Sequence, residues 1–311
     1  MIKLLLGGSP CTFWSIGQTK EREVVCEGQG WELFKNYYLA KELFQPDYFL
    51  YENNCSAAEP IKDEIKKYLN APLYKFNSNL VSAQNRARFY VTNIPNIEIP
   101  KKLSSVTVRD ILDKDTEEVL YELKEEHRKK NPKALKSGTI RIADLDGKKS
   151  QGYRVYSIDG KSCTLCANAG GLGAKTGLYE TEEGKVRKLT VSEVRRLQMI
   201  PDWVEIPISD TQAYKQVGNG WTIGVIKEFL RKIPNIENEE VVVLSMYDGM
   251  GCGFITLKEL GINIKEYISV EIDKYCNLTL DANNPNRIGF LDAFDIRNED
   301  SDLYKTIKER V

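Results

Sequence analysis

The sequence predicts an α/β protein: a doubly wound sheet carrying a smaller, loop-rich domain. Three observations predict it. Short apolar runs alternate with segments of helical spacing between residues 3 and 94. The same rhythm restarts at residue 241. Between the two lies a stretch that departs from this rhythm, a charged helical segment followed by irregular segments rich in Gly, Thr and Ser.

Residues 3–8 and 48–53 read as buried strands of the parallel type, apolar on both faces. Between them, residues 31–44 are predicted to be a helix with Trp31, Phe34, Tyr38 and Leu39 on one face. Residues 61–69 predict a second helix, and residues 73–76 and 88–94 two further strands. Residues 116–130 predict a charged helix containing His127. The glycine-rich run at 168–177 (NAGGLGAKTG) is incompatible with regular structure. Residues 234–240, with a proline and three acids, read as a linker. A strand at 241–246 follows, then a glycine-rich turn and a helix over 254–260. Strand 267–270, helix 275–283, strand 288–291 and helix 303–310 complete the pattern. No internal repeat is evident.

At 311 residues the chain is long enough for a large buried core. Its seven cysteines are odd in number and scattered, which excludes a disulfide framework and implies a reducing, cytoplasmic setting. No apolar run approaches the ~20 residues of a membrane-spanning helix. The N-terminal MIKLLLGGSPC reads as a strand entering a turn, not as a cleaved leader. The net charge of −1 gives no global case for a polyanion partner, but its distribution does. Residues 101–200 carry 21 Lys and Arg against 15 Asp and Glu, whereas residues 234–311 carry 8 against 15. A basic middle beside an acidic end suits a polyanion-binding module joined to a part that binds none, although uneven surface charge reads the same way.

Cys11 stands just beyond the C-terminal end of the first strand, where open α/β sheets put their sites, and Pro10 stiffens the turn presenting it. A buried structural cysteine is the commoner reading of a single thiol. The next strand ends in Glu52, which brings a carboxylate to the same edge, and Gln84, Arg86 and Arg88 precede another strand. Singly these are ordinary cap or surface residues. Together they offer a nucleophile, a proton donor and guanidinium groups able to fix a flat polar ring. Residues 247–253 (YDGMGCG) lie between a strand and a helix, where glycine permits close backbone approach to a ligand. Glu271, ending the next strand, suits a ribose diol, and Asp295 follows the strand after it. Nicotinamide dinucleotide binding fits the same turn, but no hydride-transfer partner is recognisable, and the only histidine, His127, lies in the charged helix. Cys163 and Cys166 form a CxxC with no further cysteine pair or histidine near enough to complete a zinc site, so no metal is expected.

These residues resemble the DNA (cytosine-5) methyltransferase family over nearly the whole chain. GGSPC at 7–11 resembles its catalytic-cysteine block, Glu52-Asn53 its ENV block, and Gln84, Arg86 and Arg88 its QxRxR block. Residues 189–203 resemble the block closing the recognition domain, and Thr164-Leu165 a pair common late in that domain. Residues 217–225 resemble motif X, and residues 244–256, 270–273 and 292–296 motifs I to III. The order is unusual: the family runs from motif I to X, whereas this chain starts at motif IV and finishes with motifs I to III, a circular permutation. Departures include Thr12 for the usual Gln, Asn54 in the ENV block, Ser245 at the opening of motif I and Cys252 for one of its glycines. Trp221 in motif X and the phrase LSMYDGMGCG resemble the animal de novo methyltransferases.

The resemblance implies a mixed sheet of the S-adenosylmethionine-dependent methyltransferase type. It divides the chain into a catalytic half at 1–98, a recognition domain at 99–209 and a cofactor half at 210–311. It implies methyl transfer from S-adenosyl-L-methionine to carbon 5 of cytosine in double-stranded DNA, with Cys11 as nucleophile, Glu52 as proton partner, Arg88 on the base oxygen and Arg86 ordering the site. The cofactor is expected on Tyr247, Asp248, Gly249, Met250, Gly251, Cys252 and Gly253. Glu271 would take its ribose and Asp295 its adenine amino group, with Ile272 and Ile296 alongside and Asn219, Gly220 and Trp221 opposite. Residues 12–29 are expected to be a mobile loop closing over a flipped-out nucleotide. No obligatory protein partner is evident; a cognate restriction endonuclease is a possible companion. An RNA cytosine-5 methyltransferase and a catalytically silent DNA-binding relative are the alternatives.

Overall fold

A computed structural model of the chain describes residues 1–16, 21–116, 118–167, 172 and 176–310. In chain order the regular elements are β1 (Ile2–Gly7), α1 (Gln29–Phe44), β2 (Tyr48–Asn54), α2 (Glu59–Leu69), β3 (Leu73–Asn77) and β4 (Ala87–Thr92). Then come β5 (Tyr121–Glu122), β6 (Arg141–Asp144), β7 (Arg154–Ser157), β8 (Leu178–Glu182) and β9 (Lys185–Arg187), followed by α3 (Val191–Leu197), α4 (Asp210–Asn219) and α5 (Ile223–Leu230). The chain continues with β10 (Glu240–Met246), α6 (Cys252–Glu259), β11 (Asn263–Val270), α7 (Lys274–Asn283), β12 (Ile288–Phe290) and α8 (Asp302–Lys308). No described helix is long and apolar enough to cross a membrane.

Contacts divide the chain into two compact units. The first comprises Met1–Phe76, Ala87–Glu98 and Ile226–Val311. Its seven-stranded sheet has the order β12-β11-β10-β1-β2-β4-β3. The five strands from β12 to β2 are parallel, and β4 runs antiparallel to β2. β1 is central, with Ile2 to Gly7 paired in register to Val241 to Met246 of β10. Strands covered on both faces need apolar side chains on both, and Leu4, Leu5 and Leu6 are all fully buried. The face of α1 turned to the core is Trp31, Phe34, Tyr37, Ala40 and Phe44. Tyr37 is buried and Tyr38 is half-buried against the same core, the positions three and four residues on from Phe34, whereas Leu39 is exposed. Residues 234–240 are structured: Ile236 is buried in a short 3-10 turn and Glu240 already belongs to β10.

The second unit comprises Asn77–Arg86 and Ile99–Val225. It contains a five-stranded sheet of order β5-β9-β8-β7-β6, around Leu123, Ala143, Leu145, Val155, Leu178 and Val186. This corrects the expectation of a helix at 116–130. Tyr121 and Leu123 point inward two residues apart, the period of a strand, and the charged residues after them form only the 3-10 turn Glu125–His127. Residues 210–225, expected with the cofactor half, cluster here instead. Tyr214 Oη donates to Leu189 O at 2.6 Å and Gln198 Nε2 to Val217 O at 2.8 Å, which ties α4 to the α3 region. Residues 17–20, most of the glycine-rich run at 168–177 and Val311 lie outside the described residues.

Candidate active site

Cys11 opens a 3-10 turn four residues beyond β1, half-buried, its carbonyl accepting from Trp14 N at 3.1 Å and Ser15 N at 3.0 Å. Glu52 lies on the adjacent strand β2. A Cβ added to Gly8 would stand 2.5 Å from Glu52 O and 3.1 Å from Glu52 Oε2, so the absence of a side chain at Gly8 admits the carboxylate beside the turn that presents the thiol. Arg88 approaches from β4, where it pairs with Asn54 of β2, and its Nε lies 3.0 Å from Glu52 Oε1. A second guanidinium nitrogen of Arg88 donates to Ala87 O at 2.8 Å. Beneath this pair is a buried polar cluster: Asn53 Nδ2 donates to Ser9 O at 2.8 Å, and Ser9 Oγ and Tyr51 Oη are 2.7 Å apart. Buried polar groups that satisfy one another in this way fix geometry, here between the residue after Glu52 and the second residue before Cys11.

The glycine turn follows β10, the other neighbour of β1. Asp248 is buried and accepts from Ser245 Oγ at 2.7 Å, Tyr267 Oη at 2.8 Å and Ser269 Oγ at 2.6 Å. Its carboxylate therefore anchors the turn from beneath rather than facing a ligand. Burial pushes its pKa up, against the opposing effect of those three hydroxyls. Glu271, at the end of β11, accepts from Gly249 N at 2.8 Å and Asp273 N at 2.7 Å; burial raises its pKa too, opposed by the two backbone bonds. Gly251, with φ +83°, carries a left-handed backbone, and a Cβ there would strike Leu280 at 2.8 Å. Gly253 packs on Leu6, 2.7 Å from where a Cβ would stand. Met250 and Cys252 are buried core. Tyr247, itself at φ +58°, donates its hydroxyl to Leu33 O of α1 at 2.7 Å.

In the second unit, Arg86 is buried, donating to Leu165 O at 3.2 Å and Gly220 O at 2.9 Å. Gln84 Nε2 donates to Gln198 Oε1 at 3.1 Å, Leu165 N donates to Gln84 Oε1, and Thr222 Oγ1 donates to the same Gln198 oxygen at 2.6 Å. Arg86 is thus a brace holding residues 165 and 220 together, and Asn219, Gly220 and Trp221 close α4 at that brace.

A model of the C-5 cytosine-specific DNA methylases matches residues 1–235. The chain belongs to that family. The curated Type II methyltransferase M.HhaI of Haemophilus parahaemolyticus is 31% identical over 250 residues, 72% of this chain and 73% of its own length. M.SsoII of Shigella sonnei is 30% identical over 253 residues, 74% of this chain and 63% of its own. Among solved structures, a methyltransferase of Entamoeba histolytica aligns at a TM-score of 0.49 and 14% identity, over 74% of this chain and 76% of that one. As a DNA methylase of this family the chain is a cytosine-5 methyltransferase enzyme with S-adenosyl-L-methionine as cofactor and a sheet of the corresponding α/β type.

The methylase's glycine turn fits that cofactor. A Cβ on Gly249 would meet nothing within 4 Å, so the turn is open there, and its φ of +61° suits glycine. Ile272, the residue after Glu271, is 73% exposed, an apolar side chain left uncovered beside a carboxylate. Asp295 is exposed, whereas Ile296 is buried in the core with Leu303 and Ile307. The sequence reading missed the Ser9–Tyr51 pair and Glu23, whose carboxylate meets Trp14 Nε1 at 3.1 Å. Two glycines flanking Gln29 were the available signal. In the CxxC pair, Cys163 is buried, its thiol pushed up to about 12 by burial, and no metal-holding cluster occurs among the described residues.

Proposed function

We propose that this methylase transfers a methyl group to carbon 5 of cytosine in duplex DNA by covalent attack of Cys11 on a flipped-out base. The observation that carries the proposal is the Glu52–Arg88 pair on β2 and β4 beside the turn presenting Cys11. Carbon 5 of cytosine is a weak nucleophile until something adds at carbon 6. Cys11, as thiolate, forms the sulfur–carbon 6 bond, and Glu52 shares a proton with ring nitrogen 3, so that the electron pair released toward carbon 5 is not opposed by charge on the ring. Arg88 holds Glu52 in orientation and donates to the exocyclic oxygen. S-adenosyl-L-methionine supplies the electrophilic methyl group. Loss of the carbon 5 proton then lets the sulfur–carbon bond break and returns Cys11. The base leaves the duplex to reach the thiol, at a few kcal/mol of lost stacking and pairing. Methyl incorporation from labelled cofactor into duplex DNA, and its absence from tRNA, test the substrate. The likeness to Type II methyltransferases supports a role in restriction–modification beside an endonuclease of the same site. The basic stretch at 101–200 supports phosphate contacts by the second unit.

On this reading Glu271 accepts the ribose hydroxyls. Glu271→Ala weakens cofactor binding ~10- to 100-fold, the cost of one charge-assisted hydrogen bond, and leaves DNA affinity within about twofold. Because burial raises the Glu271 pKa, the folded protein begins to protonate it at higher pH than an ordinary glutamate. Cofactor affinity therefore falls on acidification from neutral pH, beginning at higher pH than an ordinary glutamate would give. The same raised pKa gives the opposite sign for stability: the contribution of Glu271 is fullest below its unfolded pKa and is lost as pH rises through the folded one. Calorimetric titration between pH 7 and 5 checks the binding trend, and unchanged affinity in Glu271→Ala contradicts the assignment.

The motif order supports a circularly permuted architecture, with β10 to β12 completing from the end of the chain the sheet that β1 to β4 begin. Moving residues 234–311 ahead of residue 1 through a short flexible linker restores the common order. Loop closure changes by only ~0.6 kcal/mol per doubling of length, so the reordered protein should fold and methylate. Inactive, insoluble products at every linker length would contradict this.

A further inference from the structure

We infer that Glu23 is a positioning residue that clasps the segment behind Cys11 onto the start of α1 and so holds the nucleophile's turn ready for addition. The inference rests on the reading of Cys11 as nucleophile. The Glu23 Oε2 atom accepts from the Trp14 indole Nε1 at 3.1 Å, and Gly30 N lies 3.2 Å from both carboxylate oxygens. Its own backbone N donates to Phe13 O at 3.1 Å. One residue therefore bonds two consecutive members of the turn that begins at Cys11 and, at the same time, the first turn of a packed helix. Trp14 is fully buried, and its backbone N returns to Cys11 O.

The surroundings are shaped for this carboxylate. Gly28 has φ +86°, and a Cβ there would stand 2.5 Å from Glu23 Oε1. A Cβ on Gly30 would stand 2.6 Å from Glu23 Oε2, 2.6 Å from Trp14 Nε1 and 2.8 Å from Phe13 Cβ. Two side-chain-free positions around Gln29 thus leave room for the carboxylate and the indole together. The position also suits a negative charge, since unpaired backbone N–H groups at a helix start carry partial positive charge. The other side of the segment is stitched to the stretch after Glu52. Asn54 Nδ2 donates to Ser15 Oγ at 3.4 Å, Ile16 N to Ser56 Oγ at 3.2 Å and Arg22 Nη1 to Ser56 O at 2.9 Å. With Glu23 removed, the Cys11 turn keeps that one side and its own short-range bonds, and a shift of ~1 Å in a reacting group can cost ~100-fold in rate.

The test compares Glu23→Ala, Glu23→Gln and Trp14→Phe with the parent, using the full chain. Two readouts follow the thiol: single-turnover methylation of duplex DNA, and alkylation of Cys11 by iodoacetamide in the free protein, read by peptide mass spectrometry. Two controls follow the rest: DNA dissociation constant and melting temperature. The expected result for Glu23→Ala is at least a tenfold slower single turnover and at least a fivefold change in Cys11 alkylation, with DNA affinity within threefold and an unchanged melt. Glu23→Gln keeps an oxygen that can accept from Trp14 and Gly30 and recovers most of both rates; Trp14→Phe falls between. Parent-like rates in Glu23→Ala overturn the inference, as does a loss that tracks unfolding and is not rescued by glutamine. If Cys11→Ser keeps methylating, the nucleophile reading fails. A changed alkylation rate would still support the clasp.

Discussion

Cys11→Ser is expected to lower methyl transfer by at least ~10⁴-fold, because removing a nucleophile removes the covalent route and leaves only binding and orientation. A serine hydroxyl is almost never ionised at neutral pH, whereas a cysteine is a few per cent thiolate even unperturbed. The folded protein should tolerate the change. The Cys11 side chain is half-buried at the start of a 3-10 turn, and the turn's hydrogen bonds run through its carbonyl. Melting temperature, cofactor affinity and DNA affinity should all stay near the parent values. Transfer of a labelled methyl group under single-turnover conditions measures the loss, and a serine variant within tenfold of the parent contradicts the assignment.

The largest expected loss of stability lies in the second unit, at Glu193. Its carboxylate is completely buried and takes both terminal nitrogens of buried Arg187, at 2.8 and 2.7 Å. It also accepts from Thr190 N at 2.7 Å, closing a capping box on α3, and from Asp113 N at 2.9 Å. Glu193→Ala strands a buried guanidinium and two backbone N–H groups, at ~3–5 kcal/mol. Replacing both partners with apolar residues of similar size, Arg187→Met with Glu193→Leu, should cost less than the single change because no charge is left unpaired. Urea unfolding, with proteolysis mapped to residues 99–225, reads both. A loss below about 1 kcal/mol in Glu193→Ala contradicts the account.

The seven-stranded sheet was legible because its central strands are apolar on both faces and its helices keep one period, as Leu4 to Leu6 and Val241 to Leu244 show. The second unit's sheet was not, because its strands are two to five residues long and too short to show alternation. There, charged residues favouring a helix at 116–130 yielded to the tertiary burial of Tyr121 and Leu123. Among the residues proposed for the site, Cys11, Glu52 and Arg88 stand at or near strand ends, and Glu52 and Arg88 meet at 3.0 Å. What sequence could not separate was side chain from backbone. Asp248 turned inward to three hydroxyls, Ile296 into the core, and Arg86 to the carbonyls of Leu165 and Gly220. Asp248 and Arg86 satisfy groups distant in sequence, and such partners become visible only when the chain is folded.

The central claim, that the Cys11 sulfur bonds to carbon 6 of a cytosine, is tested most directly with duplex DNA in which the target base is 5-fluorocytosine. Fluorine cannot leave carbon 5 as a proton does, so once the methyl group has been transferred the sulfur–carbon bond cannot break. The account predicts a protein–DNA complex that survives denaturing electrophoresis, forms only with S-adenosyl-L-methionine present, maps by mass spectrometry to Cys11 and is missing in Cys11→Ser. An equal yield of trapped complex from the serine variant, or a crosslink mapping to another residue, would contradict it.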